Sequence, residues 1–526
     1  MPARLRTIVP VLLLLAGLAP RLLSLTTPAR VAASISEDGY LMLTVARNLA
    51  DGRGLSTAAG TIPTNGVQPL VTFAWAGVHA VTTSDEAALR VVVVLELLTA
   101  LAGAWLVGAL ARHWFASHPD STAVGWWAGA AWFASPVALR HTTNGLETGF
   151  YAVTIASVVL LDARWRARRS FAVSLLIGML LGVAVLVRND AALLVAAWCL
   201  VRLFAPGHAG PGVADAEPET FARRLAHANV AGLASVAVAS PWLAFNLTRF
   251  GSIVPISGRS QSLDTMFGEN LSKVPRVLAE YALGGLPLPD TAQRGAWPGV
   301  IAVVLVATLA MAWARRERLG VRIDRSLVVL ALFVAGLATY YGCFFAAGHF
   351  LSRYLFPLAL VMLPLVAAAL VRMAQAASPL ALAGVAGWLA AACMADARFA
   401  ERANRHPHMH VVEWVRANVP AGDWVAAPQS GTVGYFHDRT VNLDGKVNPE
   451  ALRARDEGRL FRYVADDTEA RVIVDWFGLA RWMDDPASVK DERDSGVLAA
   501  RFRYRVRDAG ANLVVLERIP HTTGRN

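Results

Sequence analysis

Long apolar runs dominate the sequence and constrain its fold more than any other feature. A helix needs about 20 apolar residues to cross a bilayer, and the 526 residues contain eleven candidate runs. Because ten further runs follow the first, we interpret that first run as a retained helix rather than a cleaved signal peptide. The sequence therefore predicts an all-α polytopic membrane domain. The runs are 7–27, 88–111, 123–140, 147–161, 172–187, 191–204, 229–247, 297–314, 326–346, 354–372 and 379–395.

Charge divides the chain into two parts. Only 17% of all residues are charged and 55% are hydrophobic, against about 25% and about 45–50% in soluble domains. Residues 397–526 nevertheless hold 20 basic and 19 acidic residues, whereas residues 1–396 hold 29 and 20. This composition excludes a fully soluble, disordered or disulfide-rich secreted protein, and the scattered basic residues argue against nucleic acid. We predict a transmembrane domain over 1–396 and a soluble domain over 397–526.

The arginine residues predict the orientation of the membrane domain. Arg and Lys are biased toward cytoplasmic loops, and arginines cluster at 164–169 and 315–325. Both clusters face the cytoplasm if the N-terminus does and if the short stretch 70–82 lies at the interface without crossing. An odd number of spans then places 397–526 outside, together with the outer loops 28–87 and 248–296.

The first outer loop opens with two adjacent acids. Glu37 and Asp38 precede apolar residues at helical spacing, which predicts an interfacial helix. An acid at its start is favoured by the helix dipole. N-capping by Ser36 or Asp38 would explain these residues without any catalytic role.

Other polar residues of the outer segments also have two interpretations each. Arg188 and Asp190 lie between two apolar runs, and charges near bilayer depth are functional candidates by default; the alternative is an ion pair that holds the turn. His349 and Arg353 are four residues apart and share a helix face, although Arg353 alternatively snorkels to the interface. Arg21 and Glu96, both inside apolar runs, are expected to compensate each other.

Together the outer motifs resemble the GT-C superfamily of membrane glycosyltransferases. The similarity is to the bacterial branch with protein O-mannosyltransferases, the aminoarabinose transferase of lipid A and mycobacterial arabinofuranosyltransferases, and it extends over about 1–450. One departure is Glu37, where this branch more often has Asp. The motifs, in order, are EDGYLMLTVARNLADGRG (37–54), TNGVQPL (64–70), NGLET (144–148), RND (188–190), HFLSRY (349–354) and NLDGKVN (442–448).

The resemblance implies transfer of a sugar from a polyprenyl-phosphate donor to a glycan, lipid or protein acceptor. It also implies a bacterial inner (plasma) membrane protein with the reaction on the non-cytoplasmic face. Asp38 or Glu37 would be the general base, and direct displacement would invert the anomeric centre, whereas a retaining route would use a second carboxylate. The candidates for that second carboxylate are Glu147 and Asp190. Expected donor-phosphate ligands are Arg353, His349 and Arg188, with Lys273 and Arg259 as weaker candidates.

Substrate contacts are expected from further polar residues. No metal-binding spacing is visible, although Glu37, Asp38, Glu147 and Asp190 are carboxylates of the kind that bind a divalent cation. The competing function is a transporter or a lipid-linked sugar flippase, but no internal repeat is seen and the charges lie at the outer ends of the helices. The expected substrate-binding residues are Tyr40, Asn65, Gln68, Asn144, Glu147, Asp190 and Asp444.

The segment after residue 396 predicts a small α/β domain. VVEWVRANV (411–419) has helical spacing, and strands are expected within 423–436, near 440 and within 470–477, with NLVVLERI (512–519) as the last strand. Asp444 and Lys446 lie in a turn-like stretch. They form either a structural turn or a contact with the acceptor.

Overall fold

The computed structural model describes residues 3–165, 170–204, 219–263, 265–288, 295–314, 320–376, 378–402, 406, 408–486, 489 and 495–520. Parts of both predicted arginine-rich loops, residues 166–169 and 315–319, lie outside these ranges.

The membrane domain is helical, and each of the eleven predicted runs coincides with a helix. The run 123–140 is divided by Ser135, whose hydroxyl accepts a hydrogen bond from Ala138 N and caps a second, short helix. The helices that match the runs are Ala3–Ser24, Asp85–Trp114, Ser121–Ala134 with Pro136–His141, Thr148–Trp165, Phe171–Val187, Ala192–Phe204, Phe221–Phe250, Trp297–Ala314, Arg325–Cys343, Ala359–Ala376 and Pro379–Arg402.

Five segments among the described residues are long and apolar enough to cross a membrane by length and composition. Large apolar side chains remain exposed on the helices, such as Leu233 and Val303, which are 71% and 70% exposed. Lipid is the solvent that makes such exposure favourable, so the chain is an integral membrane protein. The five segments are Thr7–Ser24, Asp85–Trp114, Phe221–Phe250, Arg325–Cys343 and Gly348–Ala376. The predicted total of eleven spans, and their orientation, remain predictions.

Two helices of the first outer loop pack against the membrane domain. The helix Glu37–Ala50 begins where predicted, and Ser36, rather than Asp38, is its N-cap, because the Ser36 hydroxyl accepts from Gly39 N at 3.1 Å. Gly39 lies so close to the carbonyl oxygen of Asn144 that a Cβ there would come within 2.2 Å of it. The stretch predicted to lie at the interface forms the helix Pro69–Val81.

The expected ion pair between Arg21 and Glu96 is wrong. Arg21 donates to the carbonyl oxygens of Gly17 and Phe133, each at 2.7 Å. Glu96 instead accepts from the backbone N–H of Gly145 at 2.8 Å. Each buried group is therefore bound to backbone, and Glu96 fixes the NGLET turn.

The C-terminal segment contains a five-stranded mixed sheet, as the predicted α/β class requires. Its strands are β3 (Val425–Ala427), β4 (Thr440–Asn442), β5 (Val472–Asp475), β6 (Phe502–Asp508) and β7 (Leu513–Arg518), in the order β4-β3-β5-β7-β6. The strands β1 (Ser56–Thr57) and β2 (Ile62–Pro63) form a separate small pair in the first outer loop. β3 is parallel to β4 and β5, whereas β7 is antiparallel to β5 and β6. The sequence missed β6, whose charged, half-exposed residues hide the apolar pattern.

Short helices complete the predicted outer segments and the C-terminal segment. They include Pro28–Ser34, Ile256–Ser262, Val274–Ala282, Leu351–Tyr354, Met409–Asn418, Gly431–Phe436, Pro449–Asp456, Leu460–Arg462, Arg481–Asp484 and Ser495–Arg501.

Arginines of the helix Glu37–Ala50 and the turn after it connect the two parts of the chain. Arg47 donates to the carbonyl oxygen of Tyr435 at 2.8 Å and pairs with Asp438 at 3.3 Å. Arg53 pairs with the same Asp438 at 2.6 Å. The RNLADGRG stretch therefore holds the C-terminal segment against the first outer loop.

Candidate active site

One cavity of about 520 Å³ lies where the outer segments meet the C-terminal segment. Most of its wall is apolar, from residues such as Leu41, Val185, Leu243, Val254 and Phe345. Its charged lining consists of three acids and three bases: Asp38, Glu147, Asp190, Arg188, Arg353 and Lys446. Residues from five predicted outer segments and from the C-terminal segment thus line one cavity. This agrees with the prediction that the polar motifs lie on the same side of the membrane.

At one end of the cavity a carboxylate bridges two cations. Asp38 Oδ2 lies 2.9 Å from Arg353 Nη1, and Asp38 Oδ1 lies 3.1 Å from Lys446 Nζ. Burial alone would raise the pKa of Asp38, but Lys446 and Arg353 together hold it well below its usual range. Asp38 is therefore ionised. The acid near the first span and the cation near the tenth do meet, across 315 residues of sequence.

Lys446 is held in place by its own loop and by the outer loops. Its backbone N–H donates to Asp444 Oδ1 at 2.9 Å, and its ammonium lies 3.3 Å from Asp444 Oδ2. Ser260 donates to the Asp444 carbonyl at 2.7 Å. On the other side, Gly66 packs so tightly that a Cβ there would stand 1.9 Å from the Lys446 carbonyl oxygen.

The neighbouring acid, Glu37, points away from this cluster. Its carboxylate accepts hydrogen bonds from the backbone N–H groups of Gly431 and Thr432 and from the Thr432 hydroxyl. Burial raises the pKa of Glu37, and the hydrogen bonds from Thr432 and Gly431 only partly offset it. Because its oxygens are occupied by the start of the helix Gly431–Phe436, Glu37 anchors the C-terminal segment. Of the two predicted bases, the cavity receives only Asp38.

At the other end of the cavity one cation faces two carboxylates. Arg188 Nε lies 3.0 Å from Asp190, and Arg188 Nη1 lies 3.8 Å from Glu147. Tyr341 donates its hydroxyl to Asp190 at 2.6 Å and accepts from Arg188 at 3.3 Å. The Arg188 guanidinium also lies 4.7 Å from the centre of the Tyr354 ring. The charge of Arg188 is thus already compensated by Asp190 of its own turn and by Glu147.

Several predicted substrate-binding residues lie outside the cavity lining. Tyr40 is fully buried, and its hydroxyl donates to the Ala32 carbonyl at 2.7 Å. Asn65 donates to Asn246 and accepts from Ile256 N, so it holds loops together. These two side chains are structural because their polar atoms are used within the protein.

Two further predicted substrate contacts are also turn residues. The Asn144 side-chain oxygen accepts from Leu146 N at 3.1 Å, inside its own turn. Asp444 supports Lys446 from behind and is not among the residues that line the cavity.

The remaining predicted residues divide between the cavity and its surroundings. Gln68 lines the cavity, and its buried Oε1 has no hydrogen-bond partner among the described residues. Lys273 donates to Asn270 at 2.8 Å and lies beside Gly348, while the His349 ring lies tilted against Phe350 at 4.0 Å between centroids. Neither Lys273 nor His349 is among the described residues that line the cavity.

Arg259, the weaker phosphate candidate, also stays outside the lining, although its neighbours Gly258 and Gln261 belong to it.

The carboxylates do not fit a divalent cation. Asp38 faces two cations, Glu37 faces backbone N–H groups, and Glu147 and Asp190 both face Arg188. Within the described ranges, no group of three or more His, Cys, Asp or Glu side chains is arranged to hold a metal ion.

The sequence offered Lys446 only as part of a structural turn or as an acceptor contact, and it predicted neither the ion pair with Asp38 nor the contact of Glu37 with Gly431 and Thr432. Both contacts join residues about 400 positions apart. The only signal for Lys446 was its place in the NLDGKVN motif, and Thr432 carried none.

The fold matches two solved membrane enzymes over nearly the whole chain. ArnT from Cupriavidus metallidurans, bound to undecaprenyl phosphate, has a TM-score of 0.54 and 12% identity, covering 97% of this chain and 98% of that one. The Archaeoglobus fulgidus oligosaccharyltransferase AglB, in complex with an inhibitory peptide and a dolichol-phosphate, also has a TM-score of 0.54 and 12% identity, covering 99% and 76%. Both are GT-C membrane glycosyltransferases, so this chain has the GT-C fold.

Sequence comparison adds one partial match. A domain of unknown function, DUF8728, matches residues 395–515, which contain Lys446 and the mixed sheet up to the first half of β7. No curated protein matches the sequence.

Proposed function

We propose that this protein is a glycosyltransferase that moves a sugar from a polyprenyl-phosphate donor to an acceptor hydroxyl at the outer face of the membrane. The observation that carries the proposal is the Arg353–Asp38–Lys446 cluster at the polar end of a mostly apolar cavity. The GT-C fold supports it, because structural neighbours were solved with undecaprenyl phosphate and with a dolichol-phosphate.

The cavity suits a lipid-linked donor. Its apolar wall, which includes Leu243 and Val254, offers a surface for a polyprenyl chain. Arg353 offers N–H donors and positive charge for the phosphate, which is the leaving group. The Phe350 ring lies 4.5 Å from the Arg353 guanidinium and 5.5 Å from Lys446 Nζ, so it packs against both cations.

Asp38 is the proposed general base. In the transfer step the acceptor hydroxyl gives its proton to the Asp38 carboxylate while its oxygen bonds to the anomeric carbon. The bond from that carbon to the phosphate oxygen breaks, and its electrons leave with the polyprenyl phosphate. With one carboxylate at the reaction centre, this displacement inverts the anomeric configuration.

The test is donor consumption by the purified full-length protein. The protein is incubated with a panel of polyprenyl-phosphate sugars and a membrane extract as acceptor source, and released polyprenyl phosphate is measured by mass spectrometry. Asp38→Asn is expected to lower the rate by about 10²–10⁴-fold, the usual contribution of a general base.

Asp484→Asn is the matched control, because Asp484 is also ion-paired, to Arg507 at 2.6 Å, but lies in the C-terminal segment away from the cavity. It should retain wild-type activity. Full activity in Asp38→Asn would contradict the proposed mechanism. Movement of the lipid-linked sugar across vesicles without any covalent change would instead favour a flippase.

A further inference from the structure

We infer that Lys446 is a second ligand of the donor phosphate, supplied by the C-terminal segment, and that Asp38 occupies the place of this phosphate until the donor replaces it. The inference rests on the proposed function and deepens it. It assigns a substrate contact to the segment that matches a domain of unknown function.

The geometry of Asp38 is that of a bound anion. Each of its two oxygens takes one cation, Arg353 at 2.9 Å and Lys446 at 3.1 Å. The phosphodiester of a polyprenyl-phosphate sugar also presents two non-bridging oxygens, and it forms charge-assisted hydrogen bonds to such donors. Arg353 Nε is buried without a hydrogen-bond partner among the described residues, so the guanidinium has a donor left for a further oxygen.

Charge balance in the cavity requires Arg353 and Lys446 to exchange Asp38 for the donor phosphate. The cavity lining holds three acids and three bases, so its formal charge is already neutral. A donor phosphate adds at least one negative charge, and a buried charge without a partner is costly. Arg188 is shared by Asp190 and Glu147, whereas Arg353 and Lys446 face one common carboxylate in the cavity, Asp38. Release of Asp38 leaves Arg353 without that carboxylate and Lys446 paired with Asp444 alone, so that both cations can turn to the phosphate, and it frees the Asp38 carboxylate for the acceptor hydroxyl.

The loop that carries Lys446 is held in a fixed position, as expected for a residue that binds a ligand. Its loop is braced by Ser260 and by Arg455, which both donate to the Asp444 carbonyl oxygen. Only 14% of its side chain is exposed, and this loop lies against Gly66 of the first outer loop. An ordinary surface lysine would not be anchored from two outer loops.

The test measures binding of undecaprenyl phosphate to the purified full-length protein in detergent, by native mass spectrometry or thermophoresis. Undecaprenol, the same lipid without phosphate, reports on the apolar groove alone. Lys446→Gln is expected to weaken undecaprenyl phosphate binding by about tenfold, or about 1.4 kcal/mol, and to leave undecaprenol binding unchanged. Lys446→Arg should restore the affinity, and Arg439→Gln, which removes a cation elsewhere in the C-terminal segment, should have no effect.

Asp38→Asn should change the affinity for undecaprenyl phosphate in the opposite direction. Because it removes the competing carboxylate, it should tighten undecaprenyl phosphate binding by about tenfold. Glu147→Gln removes one negative charge from the same cavity without touching either cation, and it should change the affinity much less.

Unchanged affinity in Lys446→Gln, weaker or unchanged affinity in Asp38→Asn, or equal tightening in Glu147→Gln would overturn the inference while leaving the proposed function standing. Wild-type protein that binds neither undecaprenyl phosphate nor a sugar-loaded form of it would instead overturn the proposed function.

Discussion

The two charged clusters at the ends of the cavity have opposite composition. At one end Asp38 bridges Arg353 and Lys446, and Lys446 is also paired from behind with Asp444; at the other end a single cation, Arg188, faces Asp190 and Glu147. Among the residues that line the cavity, the first end has two bases and one acid, whereas the second has one base and two acids. The comparison shows that an arginine inside an outer motif does not by itself indicate a phosphate ligand, since its partners decide its role.

The second cluster also differs in burial. The Arg188 side chain is 4% exposed and its two carboxylates are 7% exposed each, against 14–15% for Asp38, Arg353 and Lys446. We therefore expect Arg188 to contribute mainly to stability and Arg353 mainly to transfer. The variants below would break or sharpen this contrast.

The largest effect is expected for Arg353→Gln. Removing a charged donor aimed at a leaving group typically costs about 10²–10³-fold in rate, and the KM for the donor should rise as well. The measurement is sugar transfer at several donor concentrations, with Arg439→Gln as the control. Activity within the range of the control would show that Arg353 only positions Asp38.

Arg188→Gln should act on stability instead. Breaking a buried ion pair by removing one partner costs about 3–5 kcal/mol, because the remaining charges lose their compensation. Thermal unfolding in detergent should show a clear fall in Tm, and the double variant Arg188→Gln with Asp190→Asn should recover part of it. An unchanged Tm together with a raised donor KM would assign phosphate binding to this end of the cavity.

Gly66→Ala should move the Lys446 loop without removing any charge. Its Cβ would stand 1.9 Å from the Lys446 carbonyl oxygen, and displacement of a positioned group by about 1 Å can cost up to about 10²-fold. We expect the donor KM to rise by about tenfold with a smaller change in kcat. Gly77→Ala is matched, since nothing lies within 4 Å of a Cβ at that position. Equal kinetics for the two variants would contradict the role of Gly66 in positioning the Lys446 loop.

The smallest effect concerns a buried acid that faces no cation. Asp475 accepts from Gln429 N and Trp476 N, and burial raises its pKa to about 8. Because the folded pKa lies above the unfolded value, the neutral form favours folding at low pH; stability falls as the pH rises from the unfolded pKa to about 8, and this group has no further effect above that pH.

Thermal unfolding between pH 6 and about 9 should therefore show a falling Tm in the wild type and a flatter profile in Asp475→Asn. Asp484→Asn, which changes an exposed acid, should keep the wild-type slope. A parallel slope for Asp475→Asn would mean that Asp475 is ionised in the folded protein.

The sequence predicted the helices and one half of the site. Each predicted apolar run coincides with a helix. Such a run is a local signal, because its length and hydrophobicity can be read from consecutive residues. Asp38 and Arg353, which both belong to predicted motifs, line the cavity. Glu37, the other predicted base, instead binds Gly431 and Thr432, and no local pattern encodes that contact.

Long-range pairing explains the other differences. Tyr40 and Asn65 were expected at the substrate, yet their polar atoms bind Ala32, Asn246 and Ile256. Arg21 and Glu96 each found backbone partners instead of each other. A polar or charged residue beside an apolar run needs a hydrogen-bond or ion-pair partner. The sequence does not show which residue that partner is.

The place of Lys446 in the chain has a consequence for biosynthesis. Its ammonium reaches the pocket only after the helix Pro379–Arg402, the last of the predicted spans, has been made and the sheet around β4 has formed. A nascent chain with all its predicted membrane helices inserted would still lack one of the two cations. If Lys446 holds the donor phosphate as inferred above, full competence to bind it would arise only late in maturation, after the C-terminal segment has folded.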